Sequence, residues 1–471
     1  MQGKRFEPYT LKDELDVETP PGPNISTADS KGSFQPSSPA LNITTSEFSG
    51  DDNTTLSRRN QCSGNTVSLS KRFNAIFGKV GGNPNSPSGS KAGNVVFATA
   101  NRFAAVSLTG GDFFFRPIDV SVFAGPGFCC NQVVQYIPKI KRFVWLLEYS
   151  PDGHHGNKLR LITFRPQDVD ASGPTSWLYL DIYSMSDLNL RGRLVFGDLA
   201  VGDHKLWVSA TATGVGLVVI RIPIYALDHA GPLTYWYTDP ADGAVAYLYR
   251  LAQNPGDTAF WAGHSVLGTI LRVFKWPEYE NTYYWSDLAI NPWPANPHNF
   301  VAPCPGRPTT SWVDNSLGRI LGATRRHKKE VWFAWAASKG GGFPNVHIQV
   351  AQIDPSNWPA ITLTKQWPIW NPSHAFAYPA LYTNECHDVG LAVAFGSGPY
   401  NPSSAVGIAD SGGVLTSTVY APELSDVCQR RFGNYLTVRK GEGKCFGGYI
   451  YAGKPASPVR WRSRYWEFGR G

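Results

Sequence analysis

The sequence predicts an all-β protein built as a single β-propeller, and two observations lead to that prediction. Aromatic residues are frequent and charged ones scarce, with 16 Trp, 21 Tyr and 25 Phe among 471 residues and a charged fraction of 17%. With 47 Gly and 36 Pro, this composition is typical of many short strands joined by turns. Strand-like runs also recur at a long, irregular spacing, which favours a propeller over a two-sheet sandwich. We count seven blades, with six as the alternative because the first blade is weakly marked.

Several blades begin with a similar entrance, a small or polar group followed by a β-rich run. The entrances are Phe128-Cys129-Cys130-Asn131-Gln132, Gly197-Asp198-Leu199, Gly318-Arg319-Ile320, Tyr378-Pro379-Ala380 and Gly433-Asn434-Tyr435. Because they recur at the start of successive blades, we expect these residues to form the wall of the central channel.

The strands within each blade are assigned from β-runs separated by turn residues. The runs lie within 94–115 for blade 1, 131–164 for blade 2, 198–222 for blade 3, 244–276 for blade 4, 319–351 for blade 5, 378–408 for blade 6 and 434–465 for blade 7. A strand from residues 60–80 should pair with the last blade and hide both open edges. The stretch from Tyr279 to Trp312 shows little β pattern, so we expect a loop on one face.

Residues 1–60 are predicted to be a low-complexity tail or pro-segment, and residues 61–471 the propeller. The first 60 residues have too few apolar side chains to offset the entropy of ordering. The dibasic pair Arg58-Arg59 suits a processing site, although such pairs are common. Three N-glycosylation sequons begin at Asn24, Asn42 and Asn53.

The sequons and the cysteines favour an extracellular protein, although no signal peptide is visible. Seven cysteines without a CxxC pair argue against a zinc ribbon and leave at least one thiol free or paired with another chain. Cys428 and Cys445 flank a strand-turn-strand stretch, and among the possible disulfides this pair is the one that we favour. Cys129 and Cys130 can form a vicinal disulfide, with two separate bridges or plain thiols as the favoured alternatives.

The charge and hydropathy patterns argue against two kinds of partner. The net charge of +7 is dispersed apart from clusters at 325–329 and 460–464, which we interpret as a hairpin turn and an edge strand. Nucleic-acid binding usually needs one basic face, so no nucleic acid is predicted. No run of 18 apolar residues occurs, so no membrane-spanning helix is predicted.

Three motifs resemble those of a group of poorly characterised secreted propeller proteins. They are Phe128-Cys129-Cys130-Asn131-Gln132, Phe376-Ala377-Tyr378-Pro379-Ala380 with His387-Asp388-Val389-Gly390, and Arg431-Phe432-Gly433-Asn434-Tyr435. The resemblance implies the fold and no settled reaction. The turn Thr109-Gly110-Gly111-Asp112 more distantly resembles the Asp-box of sialidase-like propellers, and fold resemblance does not transfer function.

A sialidase-like chemistry would need three arginines on a substrate carboxylate, a tyrosine nucleophile and an acid aspartate. The candidate catalytic residues are therefore Asp198 as the acid, Tyr435 as the nucleophile, and Arg319, with Arg102 and Arg431, as the clamp. The alternative is structural, with Asp198, Arg319 and Asn434 hydrogen-bonding neighbouring blades around the axis.

The leading functional hypothesis is a propeller that binds or processes glycans through its loop face and channel mouth. Aromatic rings in Pro-rich loops can stack on sugars while polar groups satisfy the hydroxyls. The candidate ligand-binding residues are Asn131, Gln132, Tyr378, Arg431, Asn434, Trp293 and Trp312. Whether the protein is an enzyme is left open. If it is one, we expect a sialidase-like glycoside hydrolase or another carbohydrate-active enzyme. A non-catalytic protein-interaction scaffold is the alternative.

No cofactor and no transition-metal site are predicted. The histidines form no HxH or HxxxH pair on one strand, which is the spacing that such a site favours. A structural calcium ion, bound by Asp and backbone oxygens in the channel, would fit the fold and is kept as an alternative.

Overall fold

In the computed structural model, seven sheets surround a central channel as the blades of a propeller. The structure describes residues 86–470 except 153–155, 231, 314–315, 410–417, 424–427, 429–431, 442 and 455–459, together with strand segments at 4–5, 7–8, 42–45 and 67–77. Each blade is an antiparallel sheet whose first strand is innermost. The predicted fold class is confirmed, with seven blades rather than six.

Blades 1 to 3 each contain four strands in chain order from the channel outward. Blade 1 contains Pro87–Ala92, Val95–Ala100, Phe103–Ser107 and Ile118–Asp119. Blade 2 contains Phe128–Ile137, Arg142–Tyr149, Lys158–Phe164 and Leu178–Tyr183, with Lys4–Arg5 added in parallel outside. Blade 3 contains Leu194–Val201, Lys205–Ala212, Gly216–Pro223 and Trp236–Tyr237.

Blades 4 to 6 keep this pattern with one variation. Blade 4 contains Thr258–Val266, Ile270–Pro277 and Tyr284–Ala289, and the segment 250–253 runs along its inner side, hydrogen-bonded to Phe260 and to blade 5. Blade 5 contains Ile320–His327, Glu330–Ala337, His347–Asp354 and Thr362–Ile369. Blade 6 contains Ala375–Thr383, Val389–Ser397, Tyr400–Ala409 and Thr418–Glu423, with Asn42–Thr45 in parallel outside.

Blade 7 joins the two ends of the propeller. Its three inner strands are Thr437–Lys440, Phe446–Lys454 and Arg460–Arg470, and its outer strand is Val67–Phe77. That outer strand pairs antiparallel with Arg460–Arg470 from Val67 opposite Arg470 to Phe77 opposite Arg462. The predicted closure is confirmed, and it covers an edge that would otherwise expose unpaired backbone groups.

The described chain also contains minor elements outside the blades. Three two-stranded ribbons pair Val169–Asp170 with Gly173–Pro174, Pro232–Leu233 with Glu7–Pro8, and Pro303–Cys304 with Arg307–Ser311. The helical segments are Ser121–Ala124, Pro138–Ile140, Pro166–Asp168, Ile224–Leu227, Ala244–Ala246 and Pro297–Asn299. None of these helices has the length and apolar character needed to cross a membrane.

The core lies between the blades, which explains why their middle strands are apolar on both faces. In Arg142–Tyr149 every residue is buried. Phe143 and Trp145 pack with Phe97 of blade 1. Leu146, on the opposite face of the strand, belongs to the same buried cluster as Leu199 of blade 3. Successive strand side chains point to opposite faces, so one strand serves two interfaces.

Positive φ angles occur at or beside most of the blade entrances. They occur at Asn131 (37°), Phe196 (59°), Leu248 (62°), Gly318 (69°) and Tyr378 (53°). Strand register shifts at three of these positions, as in β-bulges, which re-aim side chains at such sites. Four of the five predicted entrances therefore share a backbone feature, whereas Gly433-Asn434-Tyr435 has no positive φ.

Three expectations from the sequence are wrong in detail. The β-runs predicted for blade 1 end with Phe113-Phe114-Phe115, but this segment is not a strand, and the outer strand of blade 1 is Ile118–Asp119 instead. The stretch 279–312, read as a loop, holds the outer strand Tyr284–Ala289 and a ribbon. Cys428 pairs with Cys304 rather than with Cys445, because the ribbon of that insertion reaches the segment before blade 7. The pair Arg58-Arg59 and the sequons at Asn24 and Asn53 lie outside the described residues.

Candidate functional site

Side-chain hydrogen bonds near the channel bridge all seven junctions between blades. Hydroxyls of Ser88, Thr324 and Thr437 and side-chain amides make these bonds. In ring order from the junction of blades 7 and 1, the pairs are Thr437 with Pro87, Val134 with Ser88, Gln135 with Leu199, Gln253 with Leu199, Thr324 with Gln253, Thr324 with Thr383, and Asn384 with Lys444. Polar contacts therefore link each blade to the next around the channel and give these buried polar groups their hydrogen-bond partners.

The upper mouth, where the inner strands begin, is organised by Glu148. Its side chain is 2% exposed, and it accepts hydrogen bonds from the Gly197 amide (2.7 Å) and from Asn131 Nδ2 (3.1 Å). Burial raises the pKa of Glu148 to about 7, although these donors and nearby Arg193 oppose the rise. Glu148 can therefore hold or release a proton near neutral pH.

A vicinal disulfide borders this mouth. Cys129 and Cys130 are bonded to each other, so the vicinal arrangement holds rather than the favoured alternatives. Arg193 Nη2 lies 3.2 Å from Cys129 Sγ, which brings the blade 3 arginine over the blade 2 entrance. Asn434 closes the cluster, since its Nδ2 is 3.5 Å from Asn131 Oδ1 and 3.3 Å from Ser86 Oγ.

The middle of the channel brings together two of the three predicted catalytic residues. Tyr435 donates its hydroxyl hydrogen to the carbonyl of Gln132 (3.1 Å), and the Arg250 guanidinium lies 4.3 Å from its ring centre. Arg250 in turn donates to Asp198 Oδ1 at 2.5 Å. Burial raises the pKa of Tyr435 far above its usual value, so the phenol stays protonated. Asp198 and Tyr435 are both buried, and their contacts join blades 3, 4, 7 and 2.

The same network extends toward the lower mouth, where the inner strands end. Gln253 Nε2 lies 3.3 Å from Asp198 Oδ2 and 3.0 Å from the Leu199 carbonyl, and its oxygen accepts from Gln135 at 2.6 Å. The Leu251 amide also donates to Asp198 Oδ2 at 3.3 Å. Both carboxylate oxygens of Asp198 are therefore occupied by donors from blade 4.

Arg439 is less fully hydrogen-bonded than the side chains of this network. It is 3% exposed, and its Nη2 lies 3.8 Å from Asp198 Oδ1, beyond hydrogen-bond reach. Nη1 donates to the neighbouring Val438 carbonyl at 3.2 Å, whereas Nε and Nη2 have no hydrogen-bond partner. Burial lowers the pKa of Arg439 to about 10, and the Asp198 carboxylate opposes that change. The side chain therefore stays charged at neutral pH with two unused donor groups.

A cavity of about 360 Å³ opens at the lower mouth, and Arg439 lies in its wall. Residues from blades 1, 2, 3, 4, 6 and 7 line it, so it lies on the axis. Its lining combines amides and hydroxyls with charges and two tyrosines. These residues include Ser90, Gln135, Asn254, Thr383, Asn384, Lys91, Asp203, Glu385, Arg439, Lys440, Tyr136 and Tyr382. The arrangement suits a polar ligand with one apolar face.

The other predicted site residues are scattered. Tyr378 (1% exposed) and Trp312 (0%) pack together with Phe432, and Trp312 Nε1 donates to Ser397 Oγ at 3.2 Å. Trp293 is 5% exposed, with its ring 5.0 Å from His264. The expected exposure of both tryptophan rings is wrong, because the insertion folds back onto the propeller and buries them.

The predicted arginine clamp stays a prediction. Arg319 is half-buried after the Gly318 turn, and Arg102 is exposed in the turn between two strands of blade 1. Arg431 lies outside the described residues. Among the residues that the structure describes, no group of three or more His, Cys, Asp or Glu side chains could hold a metal ion.

Sequence reasoning missed the residues with the most distinctive environments, namely Glu148, Arg250, Gln253 and Arg439. A signal was present for two of them, because Glu148 follows Val144-Trp145-Leu146-Leu147 and Arg439 follows Leu436-Thr437-Val438. A charge inside an apolar strand must be paired or must serve a ligand. The other two lie in a segment without strand pattern.

The fold and the channel define a seven-bladed β-propeller, closed by an N-terminal strand, with a polar axial channel that widens at its lower mouth. No protein-family model matches the chain, and no curated protein matches it.

Some solved structures are similar to this chain. An α-L-arabinanase of Penicillium chrysogenum is 10% identical over 85% of this chain and 98% of that chain, with a TM-score of 0.38. A leech intramolecular trans-sialidase is 10% identical over 70% and 67%, with a TM-score of 0.40. A subtype N10 neuraminidase-like protein of A/little yellow-shouldered bat/Guatemala/060/2010 is 10% identical over 71% and 96%, with a TM-score of 0.36. The fold assignment rests on the seven sheets and not on these likenesses.

Proposed function

We propose that this protein is an extracellular glycan-binding propeller whose ligand occupies the lower-mouth cavity. The observation that carries the proposal is the composition of that cavity, in which side-chain amides, hydroxyls and charges surround about 360 Å³ together with Tyr136 and Tyr382. Sugars present hydroxyls in several directions and an apolar C–H face, so such a lining matches them. The volume falls within the range of small-ligand sites, roughly 300–1,000 Å³.

Several lining groups are available to a ligand. Asn254 and Asp203 are exposed at the rim, and Tyr136 is half-buried against Phe143, with ring centres 5.3 Å apart. Tyr136 is therefore held in place by packing while part of it faces the cavity. A ring fixed in this way can bind a sugar face at a small entropic cost.

The extracellular location is supported by the cysteines. Cys129–Cys130 and Cys304–Cys428 are both disulfides in the described chain, and disulfides persist in oxidising compartments. The three sequons of the first 60 residues fit the same location.

Glycan-array binding followed by calorimetry on variants tests the proposal. Tyr136→Leu and Tyr382→Leu should each weaken the best array glycan by about tenfold, because each removes an aromatic face. Asn434→Ala and Arg319→Ala alter the upper mouth and serve as matched controls that should leave affinity unchanged. Loss of binding in the upper-mouth variants alone would move the site there, and an array without binding would leave the scaffold alternative.

Glycan processing at the upper mouth is the second candidate, and the geometry of Glu148 favours it. Its carboxyl is buried beside Asn131 and held by the Gly197 amide, a setting in which a carboxylic acid can donate a proton to a leaving oxygen. Within this candidate Glu148 takes the acid role that the sequence assigned to Asp198, while the roles of Tyr435 as nucleophile and of Arg319 in the clamp stay predictions. Release of product from a polysaccharide, abolished by Glu148→Gln, would support it, and binding without turnover would contradict it.

A further inference from the structure

We propose that Cys129 and Cys130 form a thiol–disulfide exchange site at the upper mouth, which accepts two electrons from a small thiol and which Arg193 makes reactive. This activity is separate from glycan binding at the lower mouth and does not depend on it. Two features of the structure support it, namely the access of solvent to the cysteine pair and the contact between the Cys129 sulfur and the Arg193 guanidinium.

The vicinal pair lies where a small reagent can approach from solvent. Both of its cysteines are half-buried at the start of the inner strand of blade 2, and the exposed residues Pro126 and Gly127 directly precede that strand. The bridge between Cys304 and Cys428 is more enclosed, because these two residues are 3% and 6% exposed. Exposed disulfides are the ones that exchange readily with thiols, whereas structural ones resist reduction. The vicinal pair is therefore expected to react before the other bridge.

Arg193 brings a positive charge to one sulfur of the pair. Its Nη2 donates to Cys129 Sγ at 3.2 Å, although sulfur is a weak acceptor. Its Nε is enclosed by the protein and has no hydrogen-bond partner. A thiolate at Cys129 would place a full negative charge on the atom that Arg193 already contacts, and such a contact lowers the pKa of a thiol. Cys129 is therefore the sulfur that leaves when the disulfide is attacked.

Glu148 is the nearby carboxyl group whose charge acts on Arg193. Its oxygens already accept hydrogen bonds from the Gly197 amide and from Asn131. Burial raises the pKa of Glu148 to about 7, so it carries only part of a negative charge at neutral pH. The charge of Arg193 is therefore not fully neutralised and can stabilise a thiolate.

The exchange proceeds in two steps whose atoms and electrons balance. The thiolate of a small thiol attacks Cys130 Sγ, the bond between the two cysteine sulfurs breaks, and its electron pair leaves on Cys129 beside Arg193. A second small thiolate then attacks the outer sulfur of the mixed disulfide and releases Cys130. The two small thiols lose two protons, of which Cys130 takes up one and solvent the other. The vicinal disulfide is thus reduced, and the two small thiols are oxidised to their own disulfide.

Reduction of the native full chain by glutathione at pH 7 tests the inference. The reaction is stopped with acid at successive times, free thiols are alkylated, and the labelled peptides are identified by mass spectrometry. Label should appear on Cys129 and Cys130 while the bond between Cys304 and Cys428 stays intact, and a glutathione adduct should appear transiently on Cys130. Arg193→Met should slow the first step by about tenfold, because the leaving thiolate loses its cation.

A matched arginine variant and thermal unfolding guard against a general effect. Arg272→Met also removes an arginine that is paired within its blade, in this case with Asp287 of blade 4, and it should keep the wild-type rate of reduction. Melting curves of both variants show whether the fold is kept, so that a folding defect is not mistaken for an altered rate.

Two single-cysteine variants test the role of Arg193 without changing it. Cys130→Ser leaves the Cys129 thiol beside Arg193, and Cys129→Ser leaves the Cys130 thiol. The pH dependence of alkylation at each cysteine gives its pKa. The pKa of the Cys129 thiol should be lower than that of the Cys130 thiol by about 1, as expected for a thiol next to a guanidinium.

The opposite results would overturn the inference. Reduction of both bridges at the same rate would show that the vicinal pair has no special reactivity. A pair that stays closed until the fold is unfolded would be a structural bridge only. A wild-type rate in Arg193→Met, or equal pKa values in the two single-cysteine variants, would contradict the role of the arginine.

Discussion

Arg439 and Arg250 approach the same oxygen of Asp198, but only Arg250 donates a hydrogen bond to it, at 2.5 Å against 3.8 Å for Arg439. This inequality divides the channel into two parts. Above it, Asp198, Arg250 and Tyr435 form a saturated network that joins four blades. Below it, Arg439 lies in the wall of the lower-mouth cavity, with its Nε and Nη2 enclosed by the protein.

The saturated part should be a source of stability. Asp198→Asn would leave two buried guanidiniums without a carboxylate, and we expect the free energy of unfolding to fall by about 3–5 kcal/mol. Urea unfolding measures it. The matched change Asp287→Asn breaks a half-buried outer pair with Arg272 and should cost less than about 1 kcal/mol. Equal losses in the two variants would contradict the special role of Asp198.

Glu148 should make stability depend on pH in a particular direction. Its pKa is about 7 in the folded protein against 4.5 ordinarily, so the folded state holds the proton more tightly than the unfolded state. The stabilising contribution is complete below about pH 4.5 and is lost as pH rises through about 7. Relative to Glu148→Gln, wild type should lose about 3 kcal/mol between pH 4 and pH 8. Urea unfolding curves that keep a constant difference across that range would disprove it.

The disulfide between Cys304 and Cys428 should stabilise the fold by restricting the unfolded chain. It closes a loop spanning 124 residues, for which the chain-entropy account gives about 4–5 kcal/mol. Replacing both cysteines with alanine should lower the free energy of unfolding by about that amount. Either single replacement should cost nearly as much as the double, since each breaks the same bridge. Strictly additive single effects would argue against a disulfide in solution.

Ring closure can be tested by truncation. A chain that begins at residue 61 keeps Val67–Phe77 and should unfold cooperatively. A chain that begins at residue 79 exposes the edge of Arg460–Arg470 and should aggregate or lose cooperativity. Sedimentation and thermal unfolding report both properties. Equal behaviour of the two chains would contradict closure by this strand, and failure of the first would contradict the boundary predicted at residue 60.

The fold was predictable because its determinants are local. Strands such as Arg142–Tyr149 are apolar on both faces, and turn residues separate them, so blades could be assigned from pattern alone. The entrances were equally visible, because Gly318, Tyr378 and Asn131 mark backbone turns. The outer strand Tyr284–Ala289 was missed, because it lies in a Pro-rich stretch with partly exposed aromatics.

The site was less predictable because its chemistry arises between blades. Asp198 and Arg250 are 52 residues apart in the chain, and Gln132 and Tyr435 are 303 apart. No spacing rule joins such residues before the ring closes. The tryptophans misled for a related reason: Trp293 and Trp312 stand in Pro-rich segments, but the Cys304–Cys428 bridge and the ribbon hold that insertion against the propeller.

A crystal structure with the best array glycan bound tests the central claim most directly. The account predicts a sugar in the lower-mouth cavity, with its ring against Tyr136 or Tyr382. A sugar bound instead at the upper mouth, beside Asn131 and Asn434, would contradict the account.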